Sequence, residues 1–250
     1  MHSRNDPPAI RILVIKTGTT VKSLLARGED FELWFRDGME LKQSQVAVCN
    51  VYLDEPLPDL GTIDGIVITG SPAFLTDLAP WNFVAADYLR QAHKYGMPIL
   101  GICYGHQLLA WAFGGRVDFN PRGREIGSVD IDLSEAAETD TLFSGYPSEF
   151  CVQVSHLQSV IELPESATLL ASNDYDHNHG FRLGERTWCL QFHPEFTAEI
   201  TRAYIRERAT EIAAEGLDPQ ALLTRVQETE TAASLLQRFV SIVEQNSRSA

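Results

Sequence analysis

Short continuous apolar runs recur through the first hundred residues of the chain. They are IRILVI from Ile10, VAVCNVY from Val46, IDGIVITG from Ile63 and MPILGIC from Met97. Runs that are apolar at nearly every position are typical of strands buried on both faces, as in a parallel sheet. Any fold for this chain must therefore cover both faces of a sheet.

Helix-like segments lie between and after these runs. The segment WNFVAADYLRQAHKYG, from Trp81, ends at a glycine, and YGHQLLAWAFGG, from Tyr104, ends at two. Glycine is common just past the end of a helix, because it adopts the left-handed conformation without steric cost. Strands that alternate with helices predict an α/β fold with a mostly parallel open sheet and helices on both faces.

The second half of the chain has a different pattern. SVDIDLS, from Ser128, and FCVQVS, from Phe150, alternate apolar and polar residues, which is typical of half-exposed antiparallel strands. TWCLQFH, from Thr187, predicts a further strand that runs to His193 and is stopped by Pro194, which has no N–H to donate.

The segment 197–250 is predicted to be helical. Asp218 and Pro219 suit the cap and the first turn of one helix. We expect residues 1–250 to form one domain, with a core of residues 10–196 and a helical extension that either covers the sheet or forms an interface. The extension carries an apolar stripe at helical spacing, made of Leu235, Leu236, Phe239, Val240 and Val243.

The charge balance argues against two classes of partner. The chain carries 34 Asp and Glu against 20 Lys and Arg, a net charge of −14, and no block of basic residues stands out. We therefore expect no binding to nucleic acid or to an anionic membrane, since both need a basic footprint. Residues 1–16 lack the layout of a signal peptide, and four scattered cysteines without a CxxC pair favour reduced thiols in the cytoplasm.

Cys103 lies between two glycines in GICYGHQ, residues 101–107, where a strand is expected to pass into a helix. A nucleophile on so sharp a turn needs small neighbours two residues before and after it, as in the G-x-S-x-G elbow of hydrolases. The amino terminus of the following helix favours a thiolate, and its free N–H groups can bind an oxyanion. On this motif alone, Cys103 is either a nucleophile or an inert buried cysteine at a strand end.

A cysteine nucleophile also needs a base, and His193 has the best-suited surroundings among the seven histidines. It is expected at the end of a strand, and in extended backbone a carboxylate two residues on, that of Glu195, points to the same side. Such a pair would fix the tautomer of the imidazole and stabilise the imidazolium. Taken alone, the pair is also consistent with a strand-end histidine beside a surface glutamate.

The other histidines suggest no catalytic role. His2 lies in the amino-terminal segment, His93 is expected to face solvent late in a polar helix, and His106 is expected to pack on the elbow helix. His177 and His179 form an H-x-H in a polar turn with nearby aspartates, a pattern that can bind a metal but is far more common in solvated loops. We therefore predict no metal site and no cofactor.

GICYGHQ together with QFHPEF, residues 191–196, is a specific combination. In these motifs the chain resembles the class I, triad-type glutamine amidotransferases. ITGSP, residues 68–72, and VSHLQSV, residues 154–160, fall where that family has loops, so the resemblance runs from Ile10 to Phe196. It points most closely to stand-alone proteins related to the amidotransferase domain of GMP synthase, and it implies a flavodoxin-like fold.

The resemblance implies a role for each matching residue. Cys103 attacks the side-chain amide of glutamine, His193 protonates the departing ammonia and then activates water, and Glu195 holds the histidine in place. The backbone N–H groups of Tyr104 and Ser71 bind the oxyanion. Ser71 stands where the family usually has glycine, which a backbone donor tolerates if the dihedral angles of the loop suit serine.

The resemblance also implies a set of substrate contacts. Gln107, one helical turn after the cysteine, helps to hold the substrate glutamine. Main-chain groups of Ser155, His156 and Leu157 hold its α-amino and α-carboxylate ends, and Gly70 contributes from the turn that bears the oxyanion donor.

Two departures limit what the family implies. GMP synthase tends to carry Gly-Asp after the histidine that matches His156, where this chain has Leu157 and Gln158. In addition, no GxxxxGK[ST] phosphate loop and nothing like an ATP-dependent synthase domain is recognisable in the sequence. We therefore do not expect GMP synthesis.

The expected activity is hydrolysis of glutamine to glutamate and ammonia through a glutamyl thioester. The nitrogen would pass to an unidentified ammonia-accepting synthase subunit or be released. One alternative is a hydrolase of γ-glutamyl peptides or conjugates that acts alone, and another is a non-catalytic regulatory module of the same fold. An esterase of the α/β-hydrolase type fits poorly, because its acid normally precedes the histidine by a long interval.

Overall fold

The computed structural model describes residues 10–249, so His2 and the start of the amino-terminal segment lie outside the described residues. The strands in this range are β1 (Ile12–Lys16), β2 (Val46–Asn50), β3 (Gly65–Ile68), β4 (Ile99–Ile102), β5 (Arg116–Phe119), β6 (Glu125–Leu133), β7 (Glu149–His156), β8 (Gln158–Glu162), β9 (Ala167–Ser172), β10 (Gly180–Leu183) and β11 (Thr187–Leu190). The α-helices are α1 (Lys22–Leu25), α2 (Phe31–Gly38), α3 (Pro80–Lys94), α4 (Tyr104–Ala112), α5 (Ala198–Glu207), α6 (Ala209–Ala214), α7 (Pro219–Arg225) and α8 (Glu230–Ser249).

The main sheet of the described chain has the strand order β2-β1-β3-β4-β11-β10-β9-β6-β7. The first five strands in this order, from β2 to β11, pair in parallel. The last five, from β11 to β7, pair antiparallel. The parallel half has the 2-1-3-4-5 order of a flavodoxin-like doubly wound sheet. The predicted α/β class, a mostly parallel sheet with additional antiparallel strands, is thus confirmed.

The parallel strands are buried on both faces, as their continuous apolar runs predict. Every residue of β1 is buried. Ile12 and Val14 pack into the layer that contains apolar side chains of α2 and α8, whereas Leu13 and Ile15 pack into the layer formed with α3 and α4. Helices therefore cover both faces of the sheet.

The carboxyl-terminal helices belong to the first of these layers. In α8, Leu235, Leu236, Phe239 and Val243 are fully buried, and Val240 packs against them. The ring of Phe239 lies 6.4 Å from that of Trp188 on β11, and α7 begins as predicted, with the Asp218 carboxylate capping its first turn. Of the two roles that the sequence leaves open, the extension covers the sheet.

Two local expectations are wrong. The strand β11 ends at Leu190, three residues before the predicted end at His193. His93 is half-buried rather than solvent-facing: its ring packs 4.8 Å from Phe113, its Nδ1 is hydrogen-bonded to Thr187 Oγ1 at 2.8 Å, and burial lowers its pKa. The ring of His93 fills the space between α3 and the sheet, which a solvent-facing position would have left open.

Between residues 10 and 249, none of the helices combines the length and the apolar content needed to cross a membrane.

Candidate active site

The carboxyl ends of the parallel strands meet at one edge of the sheet, which is where open α/β sheets bind ligands. Cys103 follows β4 directly, Gly70 follows β3 by two residues, and His193 follows β11 by three. A cavity of about 660 Å³ opens at this edge. Seven of the predicted site residues line it: Ser71, Cys103, Tyr104, Gln107, Ser155, His156 and Leu157.

Cys103 has the strained backbone of a nucleophile elbow. Its φ of 52° and ψ of −100° are sparsely populated by residues other than glycine, and such strain concentrates at functional sites. A Cβ atom on Gly101 would lie 2.6 Å from the carbonyl oxygen of Gly105, and one on Gly105 would lie 2.7 Å from that of Ile68. The flanking glycines are therefore required by close backbone approach, as the motif predicts.

His193 and Glu195 are hydrogen-bonded, with 2.7 Å between Nδ1 and Oε1, and both side chains are buried. The predicted pairing of the two side chains is present, but the extended backbone that was predicted to produce it is not. The backbone is not extended here: the N–H of Phe196 donates to the carbonyl of His193 at 3.3 Å, so a turn after the strand brings the carboxylate back to the ring.

The ring of His193 is clamped between neighbours. Phe196 stacks on it with 4.0 Å between the ring centroids and 18° between the planes. The backbone N–H of His193 donates to the carbonyl of Gln153 at 2.8 Å, and this bond joins the loop after β11 to β7. A Cβ atom on Gly70 would lie 2.9 Å from its Cε1 atom. Since Nδ1 is engaged by Glu195, the nitrogen left for chemistry is Nε2.

The electrostatics of the pair favour a thiolate and an imidazolium. Burial of the Cys103 thiol opposes its ionisation, but the charge and the hydrogen bond of His193 outweigh burial and lower the pKa of Cys103. Burial likewise opposes the charged form of His193, but Glu195 and Cys103 together raise the pKa of His193 above its usual value. Each group thus stabilises the reactive form of the other.

The two predicted oxyanion donors belong to residues that line the cavity together with Cys103. Within the described chain, the backbone N–H groups of Ser71 and Tyr104 donate to no protein acceptor. Ser71 has no positive φ, so serine fits this turn without strain. Its Oγ donates to the carbonyl of Thr17 at 2.7 Å and fastens the turn to the end of β1. Both N–H groups are therefore available to a negatively charged oxygen.

Sequence reasoning missed the residues that support this turn. Thr17 Oγ1 donates to the carbonyls of Thr69 and Gly70 at 3.0 and 2.9 Å. Asp30, which caps α2, accepts from the N–H of Thr20 at 2.9 Å and from buried Lys16 at 2.6 Å. These contacts hold the loop after β1 against the cavity. The signal available in the sequence was a lysine at the end of an apolar run, followed by several threonines.

The predicted substrate-binding residues also lie at the cavity. Gln107 is buried, and its Nε2 donates to the carbonyl of Gln158 and to Gln191 Oε1 at 2.8 and 3.0 Å. Its Oε1 accepts from no group in the described range and is free to accept from a ligand. The buried Oγ of Ser155 also lacks a partner there. Leu157 reaches the cavity through the loop that joins β7 to β8.

Both ring nitrogens of His156 are engaged by protein acceptors. Its Nε2 is hydrogen-bonded to Glu125 Oε2 at 2.8 Å, and its Nδ1 to the carbonyl of Gln158 at 3.1 Å. His179 Nε2 reaches the same oxygen of Glu125 at 3.0 Å. Burial opposes charge on both partners, yet the ion pair with Glu125 raises the pKa of His156, and the two histidines hold the pKa of Glu125 well below its usual range.

The sequence predicts that His177 and His179 lie in a solvated loop. His177 is exposed, but His179 is fully buried, so the prediction is wrong for His179. One ligand atom each of Glu125, His156 and His179 lie within 4.8 Å of one another, a spacing that a divalent ion could bridge. Each of the two contacts to Glu125 is also a good hydrogen bond, so hydrogen bonding alone accounts for the cluster.

The fold and the cysteine elbow at the edge of the sheet agree with the result of comparing the chain with known protein families. Residues 33–211, well over half of the chain, match the family Glutamine amidotransferase class-I, and the chain belongs to that family. The glutamine amidotransferase of Thermotoga maritima has a matching fold, with a TM-score of 0.75 at 22% identity over 94% of this chain and 98% of that one.

Two curated relatives are similar in sequence. The chain is 33% identical over 145 residues to γ-glutamyl peptidase 3 of Arabidopsis thaliana, which covers 57% of this chain and 58% of that protein. It is 33% identical over 172 residues to the glutamine-hydrolyzing GMP synthase of Porphyromonas gingivalis, which covers 68% of this chain and 31% of that protein. The matched part therefore spans less than two thirds of either relative.

Proposed function

We propose that the chain hydrolyses the γ-amide bond of glutamine or of a γ-glutamyl compound, with Cys103 as nucleophile, His193 as acid and base, and Glu195 as the residue that orients His193. The observation that carries the proposal is a strained cysteine that lines one small cavity together with a buried histidine, whose Nδ1 lies 2.7 Å from a carboxylate oxygen. Membership of the amidotransferase family supports the same reaction class.

In the first half of the reaction, the Cys103 thiolate adds to the γ-carbonyl carbon, and the carbonyl electrons move onto its oxygen. The N–H groups of Ser71 and Tyr104 bind the oxyanion. When the oxyanion collapses, the carbon–nitrogen bond breaks and the nitrogen takes the proton from Nε2 of His193. Ammonia or an amine leaves, and a γ-glutamyl thioester with Cys103 remains.

In the second half, water replaces the leaving amine. Neutral His193 takes a proton from the water while the hydroxide adds to the thioester carbon. Collapse breaks the carbon–sulfur bond, releases glutamate and restores the thiolate and imidazolium pair. Throughout, Glu195 holds the Nδ1 proton of His193, so the ring presents Nε2 in both halves.

The size of the cavity favours a γ-glutamyl compound as a second candidate substrate. The ten non-hydrogen atoms of glutamine fill at most about 300 Å³, even if each takes the volume of a water molecule in liquid. The cavity has about 660 Å³, so roughly half of it is left for a larger leaving group. The curated relative that is named a γ-glutamyl peptidase supports this reading. Transfer of ammonia to a synthase subunit is the alternative fate of the nitrogen.

Glutamate release from glutamine and from γ-glutamylglycine tests the proposal. We expect Cys103→Ala to abolish release from both compounds, whereas Cys151→Ala, at a half-buried cysteine on β7 outside the cavity, retains it. The absence of any Cys103-dependent release would refute a hydrolase and favour the regulatory module.

A further inference from the structure

The space around Cys103 has two parts with different linings. The 660 Å³ cavity contains Gln107 and His156 but not His193. A smaller cavity of about 50 Å³ contains His193 but neither of those two. Cys103 and Arg208 line both. The two parts also share Ser71 and Ser155, so they divide one continuous cleft into a larger part that holds Gln107 and a smaller part that holds His193.

This division sets the direction of the leaving group. The departing nitrogen must lie within hydrogen-bond reach of Nε2 of His193, because that group supplies its proton. The nitrogen of the leaving group therefore lies at the smaller part of the cleft, and any atoms beyond it extend past Arg208 into the larger part, because Arg208 lines both. A leaving group longer than ammonia meets the guanidinium of Arg208.

Among the described carboxylates, Arg208 acts on that of Glu215 at longer range than an ion pair: the hydrogen bond of Arg124 lowers the pKa of Glu215, and Arg208 adds to this effect. Arg208 follows α5 and is half-buried, and its guanidinium lies 5.3 Å from the ring centre of Tyr204, whose hydroxyl is hydrogen-bonded to Thr20 Oγ1 at 2.9 Å. Within the described residues, the guanidinium makes no hydrogen bond and no ion pair. In a chain with a net charge of −14, an arginine held in place without a carboxylate is unexpected.

The neighbouring arginine and glutamates of the cavity are already engaged, whereas Lys22, which also lines it, is exposed to solvent. Arg124 binds Glu215 through two contacts of 2.8 and 2.9 Å and lies 3.8 Å from Glu211. The carboxylate of Glu207 accepts from the backbone N–H groups of Lys22 and Ser23 and from the Ser23 hydroxyl, and so joins α5 to α1. The guanidinium of Arg208 is left to interact with a ligand.

We propose, on the basis of the hydrolase function above, that Arg208 binds a carboxylate on the leaving group, and hence that the preferred substrates are γ-glutamyl amino acids or peptides with a free carboxyl terminus. Arginine suits this role because its planar fork can bind a carboxylate through two parallel hydrogen bonds. The ring of Tyr204 holds the fork in place before the substrate arrives.

The test compares γ-glutamylglycine with γ-glutamylglycinamide, which has the same shape without the carboxylate charge. We expect the wild-type protein to hydrolyse the acid with a kcat/KM at least about tenfold above that of the amide, the size of a charge-assisted hydrogen bond. Arg208→Gln should bring this ratio close to one, and Arg208→Lys should leave it in between, because lysine keeps the charge but loses the fork. The ratio is measured within one protein, so partial loss of folded enzyme does not change it.

Arg206→Gln is the matched control, because Arg206 lies in the last turn of α5, two residues before Arg208, is exposed and does not line either cavity. It should keep the wild-type ratio. If the wild-type protein hydrolyses acid and amide equally, or if Arg208→Gln keeps the preference for the acid, the proposed role of Arg208 is wrong while the hydrolase function stands. If Cys103-dependent hydrolysis of glutamine and of both dipeptides is missing, the hydrolase function itself fails.

Discussion

Gly70 and His193 lie so close that a single Cβ atom would not fit between them: built on Gly70, it would lie 2.9 Å from Cε1 of the ring. The ring cannot retreat, because Phe196 stacks on it at 4.0 Å and Glu195 holds its Nδ1. The turn that carries a predicted oxyanion donor and the predicted base are therefore in direct contact, and each limits the position of the other.

Gly70→Ala should impair catalysis more than folding. The methyl group must displace the His193 ring or the turn that bears Ser71, and a shift of 1 Å in catalytic geometry can cost about 100-fold in rate. We expect kcat for glutamine to fall by at least about tenfold, with a loss in unfolding free energy of about 1–3 kcal/mol from overpacking. Gly61→Ala, at an exposed glycine far from the cavity, is the control. A Gly70→Ala protein with normal kcat would contradict the contact.

Cys103 should react with iodoacetamide at a lower pH than the other three cysteines. At Cys103, burial opposes ionisation of the thiol, but His193 outweighs burial and lowers the pKa. At the other three cysteines burial dominates: it raises the pKa of Cys49 to about 11 and also raises the pKa values of Cys151 and Cys189. Because the thiolate is the reactive form, alkylation near neutral pH should occur at Cys103. Mass spectrometry of the modified peptides checks this expectation. Labelling of Cys151 before Cys103 at pH 7 would overturn it.

Glu195→Gln should lower kcat by about 100-fold or more, the usual contribution of an oriented acid and base. The amide keeps the shape of the side chain but removes the charge that raises the pKa of His193. A raised pKa keeps the imidazolium present until the pH rises through it, so the variant should lose activity on the alkaline side at a lower pH than the wild type. A pH profile of kcat/KM measures the shift. Glu199→Gln, at an exposed carboxylate on α5, should leave the profile unchanged.

Glu125→Gln should destabilise the fold by about 3 kcal/mol near pH 6, because it leaves His156 and His179 without a buried counter-charge. The pKa of Glu125 is depressed, so its contribution is present above its unfolded pKa of about 4.3 and is lost as the pH falls through its folded pKa. The pKa of His156 is raised, so its contribution is present below about pH 6.5 and is lost as the pH rises through its folded pKa.

The stability gap between wild type and Glu125→Gln should therefore be widest between about pH 4.3 and 6.5. Urea unfolding at a series of pH values measures the gap. Glu149→Gln, at an exposed carboxylate on the neighbouring strand β7, is the control and should change stability by less than about 0.5 kcal/mol. A gap that does not vary with pH would show that the three side chains do not titrate as a linked group.

Some of the site is local in the sequence and some is not. Cys103 and its glycines lie within five residues, and His193 and Glu195 lie within three, so short motifs were enough to select them. Glu125 is 31 residues from His156 and 54 from His179, and no local pattern indicates such a contact. Arg208 was missed for the same reason, since it reaches the cavity from a helix beyond the last strand.

Burial pattern and local turn chemistry are properties of short segments, and they were enough to predict an α/β fold, the elbow at Cys103 and the caps of several helices. The order of the strands, the turn that returns Glu195 to His193, and the cluster around Glu125 depend on which distant segments pack together. That choice is made by the free energy of burying complementary surfaces, to which residues far apart in the chain contribute jointly. The local motifs thus indicated a nucleophile and its base, and only the packed chain placed an unpaired arginine beside them.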